Sequence, residues 1–463
     1  MARVSVLSAA TIAAVLVVAA CGREEDSTGP TSMRPDQAVA TGGAPLTAVP
    51  GRYIVVLKPG SGLAATPGLQ IEQNNALAGL AIVRNPSSAQ LASLKKAPNV
   101  TSVTQDLSVQ WIPPASQMFS GLQQLSNPGP TPNGTNQSGA AFFGYQWNMR
   151  VTQADAAWGT TPGGAGRLVC VLDTGVDPGQ LDLIGKVDLS RSASMVAAEP
   201  FIEDLNLHGT FVSGLISSRG IGMASTAPDT RLCAVKVLGA SGSGSFGDII
   251  NGIIFASIVK ADVINMSLGA YVNTKAPGVA GLIEALQHAI NFANSERVLV
   301  VASSGNLGIN LDTDEPQLRS IPAQLPGVLS VGATAPIAQM NFDLLASYSN
   351  YGGQTGIAMV APGGDLVAGG LTQDLVLSAC SRFTPPPFNC SGGVSYLFGA
   401  GTSFASPMVA GAAAVVESQM GGGRILPSVV RTCLTKNADN VGPSSVFGRG
   451  RLNVLRAAAC HNH

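Results

Sequence analysis

Arg167-Leu168-Val169-Cys170-Val171-Leu172-Asp173-Thr174-Gly175 is an unbroken apolar run that gives way at once to an acid, a hydroxyl and a glycine. A strand apolar at every position, rather than at alternate ones, is buried on both faces, as in parallel sheets covered by helices on each side. Residues 232–238, 261–266 and 298–302 repeat the pattern with Val, Ile and Leu. Between them, residues 246–259 and 279–294 carry helical periodicity, the second with Leu282, Ile283, Leu286 and Ile290 on one side. The alternation predicts a doubly wound α/β domain over residues 141–463, with a mostly parallel sheet and helices on both faces.

Outward from that core the text changes character. Met1-Ala2-Arg3 starts positive, and residues 4–20 are apolar apart from Ser5, Ser8 and Thr11. This is the make-up of a signal peptide (1–20) rather than of a membrane span. Val18-Ala19-Ala20-Cys21-Gly22 resembles a bacterial lipobox, in which the cysteine becomes the lipidated first residue; the alternative is plain cleavage after small residues. Both readings export the chain, as a membrane-anchored lipoprotein precursor or as a secreted protein. Residues 21–50 lack apolar periodicity and read as a flexible tether. Residues 51–112 carry strand candidates at 53–58, 79–83 and 100–104 and a helix at 87–96, a small α+β unit with βαβ-like order. Residues 113–140 are dense in Pro, Gly, Ser, Asn and Gln and read as an exposed linker that holds the processing site.

Charge and cysteines narrow the classes. Lys and Arg number 26 against 27 Asp and Glu, so no net field draws the chain to nucleic acid. Besides Cys21, the cysteines Cys170, Cys233, Cys380, Cys390, Cys433 and Cys460 admit fifteen pairings that spacing does not resolve. Export permits disulfides, and a Cys380–Cys390 bridge would close a proline-stiffened loop. None of the spacings reads as a zinc site.

The chemistry gathers where apolar runs end, which is where open α/β sheets bind ligands. Asp173 ends the first run, Ser267-Leu268-Gly269 the third and Ser304-Gly305-Asn306 the fourth. His208 lies in Asn206-Leu207-His208-Gly209-Thr210; His288 sits in an amphipathic helix pattern and His461 and His463 in the tail, so His208 is the candidate general base. Pro407 suits the first turn of a helix. That would put Ser403 at the helix N-terminus, where free N–H groups and the positive dipole end stabilise negative charge on oxygen. Taken singly, Asp173 could be a turn former, His208 a structural residue at a helix start and Ser403 a helix cap.

Together, Asp173-Thr174-Gly175, His208-Gly209-Thr210, Ser304-Gly305-Asn306 and Gly401-Thr402-Ser403-Phe404-Ala405-Ser406-Pro407 resemble the motifs of the subtilisin-like serine peptidases, the subtilases, in the order Asp, His, Ser. The similarity spans about residues 145–459 and includes Val235-Lys236-Val237-Leu238, Ala361-Pro362-Gly363 and Gly450-Arg451-Leu452-Asn453. It implies an endopeptidase acting through an acyl-enzyme, with Ser403 the nucleophile, His208 its base, Asp173 orienting the imidazole and Asn306 donating to the oxyanion. Gly242-Ser243-Gly244 and Ser267-Leu268-Gly269 would be the two edges that pair with an extended substrate. Residues 51–112 are similar to the family's inhibitory propeptide, on Tyr53-Ile54-Val55 and Lys58. The implied partners are protein or peptide substrates and the chain's own propeptide, with membrane contact only through the lipid and no cofactor required.

The sequence also departs from the family pattern. Leu207 stands where the family has Gly, and Phe211 where His is common. The loop 217–222 lacks the Asn-containing calcium segment of subtilisins, and Asp182 alone cannot supply the six to eight oxygens that calcium takes. The usual strong calcium site therefore looks absent. Leu307, where an acid would favour basic substrates, implies preference for large uncharged or apolar residues before the scissile bond, unless Asp312, Asp314 and Glu315 fold over the pocket. Two readings of other classes stand alongside: a catalytically inactive peptide-binding relative, and a lipid-tethered inhibitor or surface protein.

Overall fold

The computed structural model describes residues 45–124, 136–314, 316–385, 388, 390 and 395–460. The signal peptide, Cys21, most of the tether, residues 125–135 and Glu315 lie outside the described residues. The first unit comprises β1 (Thr47–Leu57), β2 (Gln70–Asn75), β3 (Leu80–Arg84) and β4 (Val100–Gln110). β1 lies antiparallel between β3 and β4, and β2 pairs outside β3. The βαβ-like order is present as β3, the helix Ser88–Lys96 and β4, with β1 lying between the two strands. β2 went unseen because Gln-Ile-Glu-Gln-Asn-Asn offers one apolar residue. The helix Ser88–Lys96 starts in a capping box, Gln90 N–H to Ser87 Oγ at 3.2 Å and Ser87 N–H to Gln90 Oε1 at 2.8 Å.

The continuous apolarity of β1 has a plain cause. Val55 and Leu57 join Leu94 in the unit's own core, whereas Ile54 and Val56 enter a larger core with Ile249, Ile253, Leu282 and Leu286. The outer face of this small sheet is therefore sealed against the helices Phe246–Ile258 and Val279–Ser295. The chain then forms a short helix, Ala115–Met118, and β5 (Phe119–Gln124).

The remaining strands are β6 (Leu168–Asp173), β7 (Ala193–Ser194), β8 (Arg231–Lys236), β9 (Ser243–Ser245), β10 (Val263–Met266), β11 (Ala270–Asn273), β12 (Leu299–Ser303), β13 (Leu318–Ile321), β14 (Val328–Ile337), β15 (Met340–Leu345), β16 (Met359–Pro362), β17 (Val376–Ala379) and β18 (Ser395–Gly399). The central sheet runs β15-β14-β12-β10-β6-β8-β7, with β16 on β14, and only the β14–β15 pair is antiparallel. Alternate residues enter opposite cores. Val169, Val171, Ala234 and Val301 face the helices His208–Ile216 and Thr402–Met420, while Leu168, Leu172, Val235 and Val300 face Phe246–Ile258 and Val279–Ser295. The doubly wound α/β expectation holds.

Three details depart from the sequence expectations or complete them. Residues 115–120 are not exposed linker: Met118 and Phe119 are fully buried, and β5 adds to β18 and β17 as a third strand. Pro407 is not in a first turn but inside the helix Thr402–Met420. The six cysteines pair as Cys170–Cys233, Cys380–Cys390 and Cys433–Cys460. The first bridge joins register partners on the adjacent parallel strands β6 and β8.

Candidate active site

Asp173, the last residue of β6, and His208, the first of the helix His208–Ile216, are both fully buried. Their Oδ1 and Nδ1 atoms lie 2.8 Å apart. Asp173 Oδ1 also accepts the Thr174 N–H at 2.7 Å, so the carboxylate is aimed before it meets the ring. The opposite nitrogen, His208 Nε2, is buried and has no hydrogen-bond partner among the described residues. The turn into His208 is unusual: Leu207 has φ +90° and ψ −19°, a region glycine enters freely and other residues enter at a cost. The Gly-to-Leu departure thus falls on a position whose backbone asks for Gly. Leu207 is itself fully buried, so its side-chain packing offsets the backbone strain.

Asp204 holds this turn in place, and sequence reasoning missed it. Its Oδ1 accepts from Thr174 Oγ1, Asn206 N and Leu207 N, and its Oδ2 from Thr210 N and Oγ1, all within 3.0 Å. It ties the β6 end to the His208 helix, although burial raises its pKa. An acid four residues before a helix-starting His was the available signal.

Ser403 is the second residue of the helix Thr402–Met420 and nearly fully buried. The Phe404 ring beside it lies 5.7 Å from the His208 ring, so the two helix starts converge. Ser403 Oγ donates to the Ser267 carbonyl at 3.1 Å rather than to His208. Pro407 explains the neighbouring contact. Four residues on from Ser403, it lacks the N–H that would take the Ser403 carbonyl; Ser267 Oγ takes it instead at 2.6 Å. Asn306 follows β12. Its Oδ1 accepts the Thr402 N–H at 2.9 Å and Thr402 Oγ1 at 2.7 Å, which turns Nδ2 away from those contacts and leaves it available as a donor.

The two expected substrate edges are both occupied by the chain itself. β9 pairs antiparallel with the end of β4: Ser108 with Ser245, Val109 with Gly244 and Gln110 with Ser243. One residue on, the Trp111 N–H donates to the Gly242 carbonyl at 3.1 Å, and the Trp111 carbonyl accepts the Gly269 N–H at 3.0 Å. The Trp111 indole donates to the Gly244 carbonyl at 2.9 Å and meets the Phe246 ring edge-on at 5.2 Å. Beyond His208 and Ser403 the chain is held again, with the Ala400 N–H donating to the Met118 carbonyl at 2.9 Å and Phe119 packing against Phe211 and Phe404, 6.3 Å from the His208 ring.

Asp182 is saturated by protein donors. It accepts the N–H groups of Ile221, Gly222 and Met223 at 2.7–3.1 Å and the Tyr396 hydroxyl at 2.7 Å. Among the described residues, no group of three or more His, Cys, Asp or Glu is placed to hold a metal ion. Asp312 accepts from Gln354, Thr355 and Gly356 of a later loop, and Asp314 from Asn310 within its own turn.

The model of the subtilase family matches residues 164–450. Over 337 residues the chain is 36% identical to a thermophilic serine proteinase of Bacillus sp. (strain AK1), covering 72% of this chain and 70% of that one. Over 317 residues it is 35% identical to subtilisin Savinase of Lederbergia lenta, covering 67% of this chain and 97% of the relative. Among solved structures, the epidermin leader peptide processing serine protease of Staphylococcus aureus superposes with a TM-score of 0.68 at 22% identity, covering 88% of this chain and 98% of its own, a likeness of fold.

Proposed function

The chain belongs to the subtilase family and is a serine-type endopeptidase, and from that premise we propose that Asp173, His208 and Ser403 are its catalytic triad, in an exported precursor activated by loss of its N-terminal unit. The observation that carries the triad is the 2.8 Å Asp173–His208 contact, with Nε2 unpartnered among the described residues and the His208 ring 5.7 Å from that of Phe404 in the first turn of the helix Thr402–Met420.

In the reaction, Ser403 Oγ leaves the Ser267 carbonyl and attacks the substrate carbonyl as His208 Nε2 takes its proton. Asp173 holds Nδ1–H and stabilises the imidazolium. The tetrahedral oxyanion is met by Asn306 Nδ2 and the Ser403 N–H at the helix N-terminus, a donor pair each member of which is worth about 2.7–4 kcal/mol. His208 then protonates the leaving amine, and water resolves the acyl-enzyme by the same path. The peptide lies as a strand between Gly242-Ser243-Gly244 and Ser267-Leu268-Gly269, and Leu307 favours large uncharged or apolar residues before the scissile bond. A fluorophosphonate probe should label the mature protein, and Ser403→Ala should abolish labelling; an unlabelled wild type would favour the inactive, peptide-binding reading.

Residues 51–112 act as the inhibitor. Support comes from Trp111 and its neighbours, which lie where substrate would lie. Since the chain is strand-paired up to Trp111 and again from Phe119, processing falls between them. The Ser403→Ala protein should remain full length, and mass spectrometry of wild type should find the new terminus within residues 112–119. Export and lipidation at Cys21 complete the proposal; the three disulfides fit an oxidising compartment. Fractionation decides the anchor: the Ser403→Ala precursor should sit in the membrane fraction and the mature wild-type domain in the soluble one.

A further inference from the structure

The Asn306 side chain is fixed at its oxygen by Thr402, but the direction of its Nδ2 also depends on the backbone that carries it. That backbone is held from the far side by two residues outside every recognised motif. Asn350, fully buried, accepts the Leu307 N–H at 3.1 Å and the Ile309 N–H at 3.3 Å through Oδ1. Through Nδ2 it donates to the Ser304 carbonyl at 2.9 Å and to the Tyr271 hydroxyl at 2.7 Å, and its own N–H donates to the Gly305 carbonyl at 3.1 Å. Tyr271 reaches the same spot from β11, two residues beyond the substrate edge. The Ser320 hydroxyl joins Asn350 on the Ser304 carbonyl, donating to it at 2.8 Å.

The fit is close. Gly305 has φ +101°, and a Cβ there would lie 2.0 Å from the Tyr271 hydroxyl and 2.8 Å from Asn350 Nδ2. Only glycine lets the hydroxyl come this near the peptide that precedes Asn306. Burial pushes the Tyr271 hydroxyl above the ordinary phenol range, so it stays neutral wherever the enzyme works.

From this arrangement we infer that Tyr271 and Asn350 are positioning residues for the oxyanion donor, a clamp that sets the Asn306 amide for the tetrahedral intermediate rather than for the ground-state peptide. The inference rests on Asn306 being that donor. Because misplacement of a catalytic group by about 1 Å can cost about 100-fold, losing one arm of the clamp should lower kcat by about 10-fold. KM should stay within about twofold, since the substrate edges are untouched.

The test is a double-mutant cycle on the matured enzyme with a peptide amide substrate, active sites titrated with fluorophosphonate. Tyr271→Phe should lower kcat and not raise KM. Asn306→Ala should lower kcat by about 100-fold or more, and adding Tyr271→Phe to it should change little further. Asn350→Asp keeps the acceptor for Leu307 and Ile309 while losing both donors, so it should reproduce the Tyr271→Phe loss and decides the case if Tyr271→Phe does not fold. Unchanged kcat in both variants, a raised KM alone, or equal losses with and without Asn306 would overturn the inference. Unchanged kcat in Asn306→Ala would instead overturn the oxyanion assignment beneath it.

Discussion

Glu417 lies inside the helix Thr402–Met420, 1% exposed, with neither carboxyl oxygen hydrogen-bonded among the described residues. Burial pushes its pKa up to about 9, and Asp262 adds to the rise against the pull of Arg167 and Arg424. An unfolded Glu titrates near about 4.3. Between these values the folded protein keeps a proton that the unfolded chain has released. The unfolded state therefore binds fewer protons, and stability falls as pH rises, by at most about 1.4 kcal/mol per pH unit, levelling off above the folded value. Glu417→Gln keeps the shape and removes the titration. Relative to the parent, the variant should be near neutral at pH 4.5 and gain stability progressively to pH 9. Allowing for relaxation around the buried group, about 1–3 kcal/mol of the ideal gain should survive. The assay is urea unfolding in a Ser403→Ala background, which prevents autolysis, at pH 4.5, 6, 7.5 and 9. A Gln–Glu difference that does not change with pH would mean that Glu417 is ionised in the fold, paired with Arg167 and Arg424, and the reasoning would fail.

Peptide hydrolysis should be low in acid and high into the alkaline range, since a general base must be unprotonated to take the Ser403 proton; a kcat/KM profile peaking below about pH 5 would require a different base. Chelation should leave Tm within about 2 °C, since four protein donors already fill Asp182, while Asp182→Ala should cost about 3 kcal/mol or more by stranding three N–H groups and a hydroxyl; scanning calorimetry with and without EDTA reads both. Leu207→Gly should relieve the backbone yet lose stability, because about 1–2 kcal/mol of strain is smaller than the about 2–5 kcal/mol of emptying a buried leucine site. A denaturant midpoint higher than the parent's would show that strain dominates. Trp111→Ala should loosen the precursor, since truncating a buried interface tryptophan costs about 2–4 kcal/mol; earlier onset of activity during maturation is the expected result, and an unchanged lag would count against Trp111 as an anchor.

The sequence by itself determined what depends on near neighbours or on burial alone. Residues 168–172 are apolar at every position because helices cover both faces of β6, and that pattern survives in one dimension. Asp173, His208, Asn306 and Ser403 stand at strand ends and helix starts, where local punctuation marks them. The tertiary structure decided what depends on partners far along the chain. Asp204 reads as an ordinary acid until Thr174, Leu207 and Thr210 converge on it. Residues 115–120 look like linker because the segment 113–140 that contains them is dense in Pro, Gly, Ser, Asn and Gln, yet Phe119 is buried once β18, far along the chain, offers it an edge. The cysteine pairs, the second face of β1 and the Tyr271–Asn350 clamp share that cause. A hydrogen bond, a bridge or a buried face needs two surfaces, and the chain's own order carries only one of them at a time.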